Sequence, residues 1–225
     1  MFALWDADHA ALRDAALRAE LAARGVDRLQ LNLDDADVAP AMRLATAEPI
    51  TAIVSTWSGD GAAAPADVAA VLARVAGRVA GWRVEEHRRL DPPEVPDGER
   101  ADALATVALI RRPAELPEPE WRRRWLVEHT PVAIRTQATF GYVQNVVAEP
   151  VTAAAPAVSA LVEELFPSAA MTDQHAFHGS GGDDAELKRR FAALMASVAR
   201  IGADRDVDLV PSSRYVYRTP RGTRP

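Results

Sequence analysis

One order of elements occurs twice in this chain, and that repetition restricts its possible folds more than any other feature. In the first half, the apolar run Phe2 to Trp5 reads as a strand, and Asp8 caps a helical pattern that continues through Ala22 and stops at Gly25. Leu29, Leu31 and Leu33 alternate with polar neighbours, and Ile50 to Trp57 is β-branched and bounded by Ser58-Gly59-Asp60-Gly61, so both segments read as strands. Pro65 opens a helix whose Val68, Val71, Leu72, Val75 and Val79 form one apolar stripe, and Trp82 to Leu90 follows as a strand.

The second half repeats the plan. Thr106 to Ile110 is a strand, and a turn over Pro113 to Pro119 leads into a helix that Pro131 is expected to end near Thr130. Phe140 to Ala148 and Val158 to Phe166 read as strands, although the latter is also legible as a helical turn. Asp183 to Arg200 carries Leu187, Phe191, Leu194, Met195 and Val198 at helical spacing, and Val207 to Tyr217 closes as a strand. Between the halves, the prolines and charges of Asp91 to Glu99 suit an exposed connection. The expected domains are therefore residues 1–92, a linker 93–102, a second half 103–218 and a tail 219–225.

A β-α-β-β-α-β unit packs its helices on one face of a four-stranded antiparallel sheet and leaves the other face bare. Two such units in one chain place it in the α+β class, as two tandem ferredoxin-like halves. Their bare faces are covered either by an α/β barrel closed within the chain or by a pair of chains closing barrels together. Both arrangements leave a cavity suited to a small-molecule ligand.

The net charge of -6 and pI near 5.4 argue against a nucleic-acid or anionic-membrane partner, because a negative surface repels polyanions. Absence of cysteine removes disulfides, thiolate metal sites and cysteine nucleophiles. Asp6 and Asp8 near the start, and no apolar run of membrane length, make a cytoplasmic location the expectation.

Several residues invite a chemical reading. Trp121, Trp125 and His129 are four apart and share a helical face, where His129 could act as a general base or sit as a helix-terminal residue bonded to a carbonyl. On the next strand Phe140, Tyr142 and Gln144 point one way and Val143, Asn145 and Val147 the other; a phenol or amide aimed at a pocket could steady a developing enolate. Glu163 and Glu164 are adjacent, so one carboxylate of the pair faces inward in a strand, as an acid, as an orienting partner or in a salt bridge to an arginine. His175, His178 and Asp173 lie close together, yet a third metal ligand is not evident and no metal site is expected; a lid over the cavity explains the small residues there as well.

From Thr106 onwards the chain resembles an EthD domain. The resemblance rests on Val107 to Pro113 running into an Arg-Arg-Pro turn, on Trp125-Leu-Val-Glu-His129-Thr-Pro131 and on Tyr142-Val-Gln144-Asn145. It extends through Val162-Glu163-Glu164-Leu165-Phe166-Pro167, Ala170-Met171-Thr172-Asp173 and Ala176-Phe177, so it covers about residues 104–218. It implies the dimeric α+β barrel fold, whose members include polyketide cyclases, monooxygenases, dehydratases and decarboxylases that often need no cofactor, and it leaves a homodimer open. The reading it supports is a cofactor-free enzyme acting on a small aromatic or polyketide-like molecule. His129, Tyr142, Asn145 and Glu163 would carry the chemistry, and Trp121, Trp125, Gln144, Glu164, His175 and Phe177 would bind the substrate. Two rivals stand beside it: a non-catalytic protein that stores or presents a ligand, and a haem protein with His129 or His175 as axial ligand.

Overall fold

Both halves are built, and together they close one barrel. The computed structural model describes residues 1–59, 63–153 and 155–218. The first half comprises β1 (Phe2–Trp5), α1 (His9–Leu12), α2 (Ala15–Ala23), β2 (Arg28–Leu33), β3 (Ala52–Trp57), α3 (Pro65–Leu72) and β4 (Arg78–Leu90). The second comprises β5 (Leu104–Ile110), α4 (Glu118–Arg123), α5 (Thr130–Thr136), β6 (Gly141–Pro150), β7 (Ala160–Phe166), α6 (Gln174–His178), α7 (Asp184–Ile201) and β8 (Asp208–Arg218).

The strand order around the barrel is β1-β3-β2-β8-β5-β7-β6-β4. Each half contributes one run, β4-β1-β3-β2 and β8-β5-β7-β6, the order of a ferredoxin-like sheet repeated. The runs join at two antiparallel seams, β2 with β8 and β4 with β6. One chain thus closes its own barrel.

The helices cover the outside. Leu29, Leu31, Leu33 and Val54 pack outward against Leu17, Leu21, Val68 and Leu72, and in the second half Tyr142, Val146 and Val162 pack against Trp121, Trp125 and Leu194. Inside the barrel the alternate residues meet one another. At one end they are apolar, with Ala3, Trp5, Ile53, Trp82, Leu109, Leu161 and Val210 forming a dry plug. Toward the other end they are polar, and the candidate site lies there.

Several sequence expectations need correction. The helix does not stop at Pro131: a widened π-type turn over Arg124–His129 leads into α5, and Pro131 occupies its first turn, where no N–H is required. The helix after Asp8 is two helices, because Asp14 turns out of the first and caps the second by accepting from the Ala16 amide. Val75 and Val79 leave the α3 stripe, because Arg78 and Val79 pair with Trp5 and Leu4 of β1; ladder formation overrides helical periodicity there. The segment before Asp183 holds the short helix α6, capped by Asp173. Asp60 and Gly61 of the expected turn, and the tail 219–225, lie outside the described residues.

The connection from β4 to β5 is tied down along its path. The Gly98 amide donates to Val216 O and the Ala101 amide to Arg214 O, so the segment runs against β8 at the polar end of the barrel.

Candidate functional site

Closing the barrel gives the polar residues of β2 a place the alternation alone does not reveal. Leu29, Leu31 and Leu33 face the helices, so Gln30 and Asn32 point into the barrel and are buried. There they meet Glu163 of β7 and Arg214 of β8. Glu163 Oε1 accepts from Gln30 Nε2 at 2.8 Å, Asn32 Nδ2 at 2.8 Å and Arg214 Nε at 3.1 Å. Arg214 Nη2 also donates to Gln30 Oε1 at 2.9 Å, and Asn32 Nδ2 to Ser212 Oγ at 3.1 Å. A buried ion pair is stable only when its remaining lone pairs and protons are satisfied, and the two amides supply that satisfaction on one side of the carboxylate.

The other side is left open. Glu163 Oε2 has no hydrogen bond among the described residues, and neither has the Asn145 amide or the Ser55 hydroxyl, although these residues are only 4%, 4% and 3% exposed. All three residues line one small chamber inside the barrel. Pairing explains why they are near one another: Ser55 lies opposite Gln30, Glu163 opposite Val143, and Asn145 opposite Glu86.

The chamber opens through the barrel wall. β1 pairs with β3 and β4 over Phe2–Trp5, and Met1 exchanges backbone hydrogen bonds with Trp82, so beyond Met1 a notch separates Ser55–Trp57 from Val84–Glu86. A cavity of about 480 Å³ occupies the notch, with Ser55, Trp57, Trp82, Val84, Glu86 and Asn145 in its wall. This is the size of a small-molecule site; the half-buried Trp57 indole offers apolar surface beside a few polar groups, and the buried Trp82 backs the wall.

The residues proposed from sequence fall into three groups. Asn145 and Glu163 share the chamber. His129, Tyr142, Gln144, Glu164, Trp121 and Trp125 lie on the opposite face of the sheet, beneath the helices. There His129 Nδ1 is 2.9 Å from Ser197 Oγ, and Gln144 accepts from Arg89 Nε at 2.8 Å and donates to Thr130 Oγ1 at 3.1 Å. Trp121 stacks on Trp125 with centroids 5.1 Å apart. His175 and Phe177 sit on α6, where His175 Nδ1 is 2.7 Å from Ser180 Oγ and Phe177 stacks on Phe166. The structure therefore does not bring His129 to Asn145 or Glu163, because the β6 and β7 sheet stands between them.

Burial shapes the titration of the helix-covered group. His129 is pushed down to about 4 by loss of solvent, and Glu164 is pushed up to about 7 by the same cause, although part of its side chain reaches the surface. Tyr142 is raised, first by burial and then by the charge of Glu164 opposite it.

His129 and His175 do not line the chamber or the notch, so neither is placed to hold a haem there. His178 Nδ1 faces Thr136 O at 2.9 Å, and Asp173 caps α6. Among the described residues no group of three or more His, Asp or Glu side chains is arranged to hold a metal ion. Nor is any helix among them long and apolar enough to cross a membrane.

Sequence reading missed Gln30, Asn32, Ser55, Trp57 and Arg214. The one signal available was the strict alternation in β2, which marked a two-sided strand without saying that its polar side faced a closed interior.

No protein-family model matches the chain, and no curated protein matches it significantly. Among solved structures, the chain is similar to an anthrone oxidase-like protein, with a TM-score of 0.59 and 9% identity over 98% of this chain and 91% of that one. A candidate monooxygenase from Lactobacillus acidophilus NCFM matches with a TM-score of 0.49 and 10% identity over 96% of this chain and 94% of that one. The first of these shares the fold, that of the dimeric α+β barrel proteins, here completed within a single chain.

Proposed function

We propose that this chain is a small-molecule enzyme that removes a proton from an enolisable aromatic or polyketide-like ketone seated in the notch. The observation that carries the reading is the convergence of Glu163 Oε2, the Asn145 amide and the Ser55 hydroxyl, all without partners, on one buried chamber behind two indoles. The ligand's rings lie against Trp57 and Trp82, with the carbonyl toward Asn145 and Ser55. The C–H bond beside the carbonyl breaks, its proton passes to Glu163 Oε2, and the bonding pair moves onto the carbonyl oxygen as an enolate. That oxygen accepts hydrogen bonds from Asn145 Nδ2 and the Ser55 hydroxyl, donors fixed by the barrel before the charge develops. Gln30, Asn32 and Arg214 grip Oε1, so Oε2 is presented in one orientation.

An enolate is shared by cyclase, dehydratase and decarboxylase chemistry, the reactions that the resemblance to EthD proteins implies. The anthrone oxidase-like neighbour carries in its name a tricyclic aromatic ketone of the same class. In this reading Asn145 and Glu163 act on the ligand. His129, Tyr142, Gln144, Glu164, Trp121 and Trp125 hold the sheet from its other face.

Deuterium exchange into a tricyclic aromatic ketone, followed by proton NMR in heavy water, tests the proposal. The wild type should exchange faster than buffer, E163Q should lose about 10²–10⁴-fold, and N145A about 10²–10³-fold. Exchange by folded E163Q at the wild-type rate would remove Glu163 as the base. Binding without exchange would instead favour a protein that stores or presents its ligand.

A further inference from the structure

At the polar end of the barrel a second cavity, of about 330 Å³, adjoins the chamber and shares Arg28, Arg88, Pro92 and Arg214 with it. Three guanidiniums in its wall have carboxylate partners. Arg88 meets Glu86 at 2.7 Å and Asp91 at 3.5 Å, Arg214 meets Glu163 at 3.1 Å, and Arg218 meets Glu94 at 3.4 Å.

Arg28 has none. Its guanidinium makes no ion pair or hydrogen bond among the described residues, and its Nε is shut off from solvent without an acceptor. Its Cζ stands 3.5 Å from the centre of the Trp57 ring, directly across the β2–β3 ladder. Stacking occupies the face of the guanidinium and leaves its N–H edge, where hydrogen bonding is strongest, to be satisfied by something else. Burial, then the charge of Arg88, weighs against its protonated form. An arriving anion is stabilised instead at the outer Nη groups, which are not shut off as Nε is.

We infer that this cavity binds a small amphipathic monocarboxylate, with the carboxylate on the edge of Arg28. A carboxylate matches the two parallel N–H directions of the guanidinium fork. A single charge suits a wall in which Arg28 is the one guanidinium without an ion pair among the described residues and the Asp97 carboxylate, which accepts only from the Arg218 amide, repels a second negative charge. The body of the ligand has apolar surface to meet, since Pro92, Pro93, Val95 and Val216 complete the wall. The site is separate from the notch, but Arg214 borders both this cavity and the chamber, so its occupant sits one residue away from the Glu163 carboxylate. The inference does not depend on the enolisation reading.

Thermal-shift and tryptophan-fluorescence titrations with benzoate, against benzamide and inorganic phosphate, test it on the wild type, R28M and N145A. Benzoate should raise the wild-type midpoint in a concentration-dependent way, and benzamide should not. R28M, which keeps the packing of the stem on Trp57, should bind benzoate at least about tenfold more weakly, consistent with loss of a charge-assisted hydrogen bond. N145A should bind it as the wild type does. The inference is overturned by benzoate binding that survives R28M, by loss of binding in N145A alone, by phosphate binding as tightly as benzoate, or by no benzoate effect at millimolar concentration.

Discussion

Replacing His129 with Gln is expected to tilt the profile of stability against pH relative to that of the wild type. Two buried groups on the helix side of the sheet titrate in opposite senses. His129 falls from 6.5 to about 4 on folding, so the unfolded chain binds the extra proton between those values. Its contribution is present above pH 6.5 and is lost as the pH drops toward 4. Glu164 rises from 4.5 to about 7, so here the folded chain holds the extra proton. Its contribution is present below pH 4.5 and is lost as the pH rises through 7. Between pH 5 and pH 7 each change is worth about 2 kcal/mol by linkage, with the Glu164 figure an upper bound because its side chain keeps some solvent contact. In the wild type the two nearly cancel. H129Q, which can keep a hydrogen bond to Ser197, should therefore be more stable at pH 5 than at pH 7 relative to wild type, by up to about 2 kcal/mol. E164Q should show the reverse. The assay is urea unfolding at half-unit pH intervals. With a slope of about 2 kcal/mol per molar, the relative midpoint should move by about 1 M across the range. Equal pH slopes in wild type, H129Q and E164Q would refute the assignment of these two groups as the opposing titrations.

Two glycine substitutions probe the close approaches that hold the barrel. At Gly81 a Cβ would stand 2.6 Å from the Phe2 ring and 2.7 Å from Val151, so G81A should lower stability by about 1–3 kcal/mol in urea unfolding, and no loss would mean that β1 is free to shift at the notch. Gly202 ends α7 at φ +73 against Pro113, so G202A adds left-handed strain of about 1–2 kcal/mol to overpacking and should cost more than G81A in the same assay.

Much of this architecture was legible because elements of regular period leave regular marks. Alternation in β2 and β6, the Val68, Val71 and Leu72 part of the α3 stripe, the cap at Asp8, and the Pro65 start all appear where the sequence places them. The failures occur where tertiary pairing or local chemistry outweighs period, as with Val79 drawn into β4 and Pro131 accommodated after a π-type turn. The candidate site was half legible. Asn145 was placed correctly on the strand face opposite Tyr142, and Glu163 was marked as one of two carboxylates of which one must face inward. The Glu163 partners Gln30, Asn32 and Arg214 come from strands 51 to 184 residues away in sequence from the groups they contact, and only barrel closure brings them together. His129 drew attention because a histidine beside two tryptophans resembles a catalytic constellation. The same spacing serves helix packing, and only the sheet between His129 and the chamber distinguishes the two.

A ligand is expected to bind inside the barrel and not beneath the helices. Methyl-resolved NMR of the wild type titrated with a tricyclic aromatic ketone tests it most directly, because apolar probes stand on both sides of the sheet. Val84, Val107 and Val143 line the notch or chamber, and Leu126, Ile134 and Val198 pack in the helix layer. Saturable shifts are expected at the first three, with the second three nearly unchanged. Shifts centred on Leu126, Ile134 and Val198 would put the ligand beside His129 and contradict this expectation.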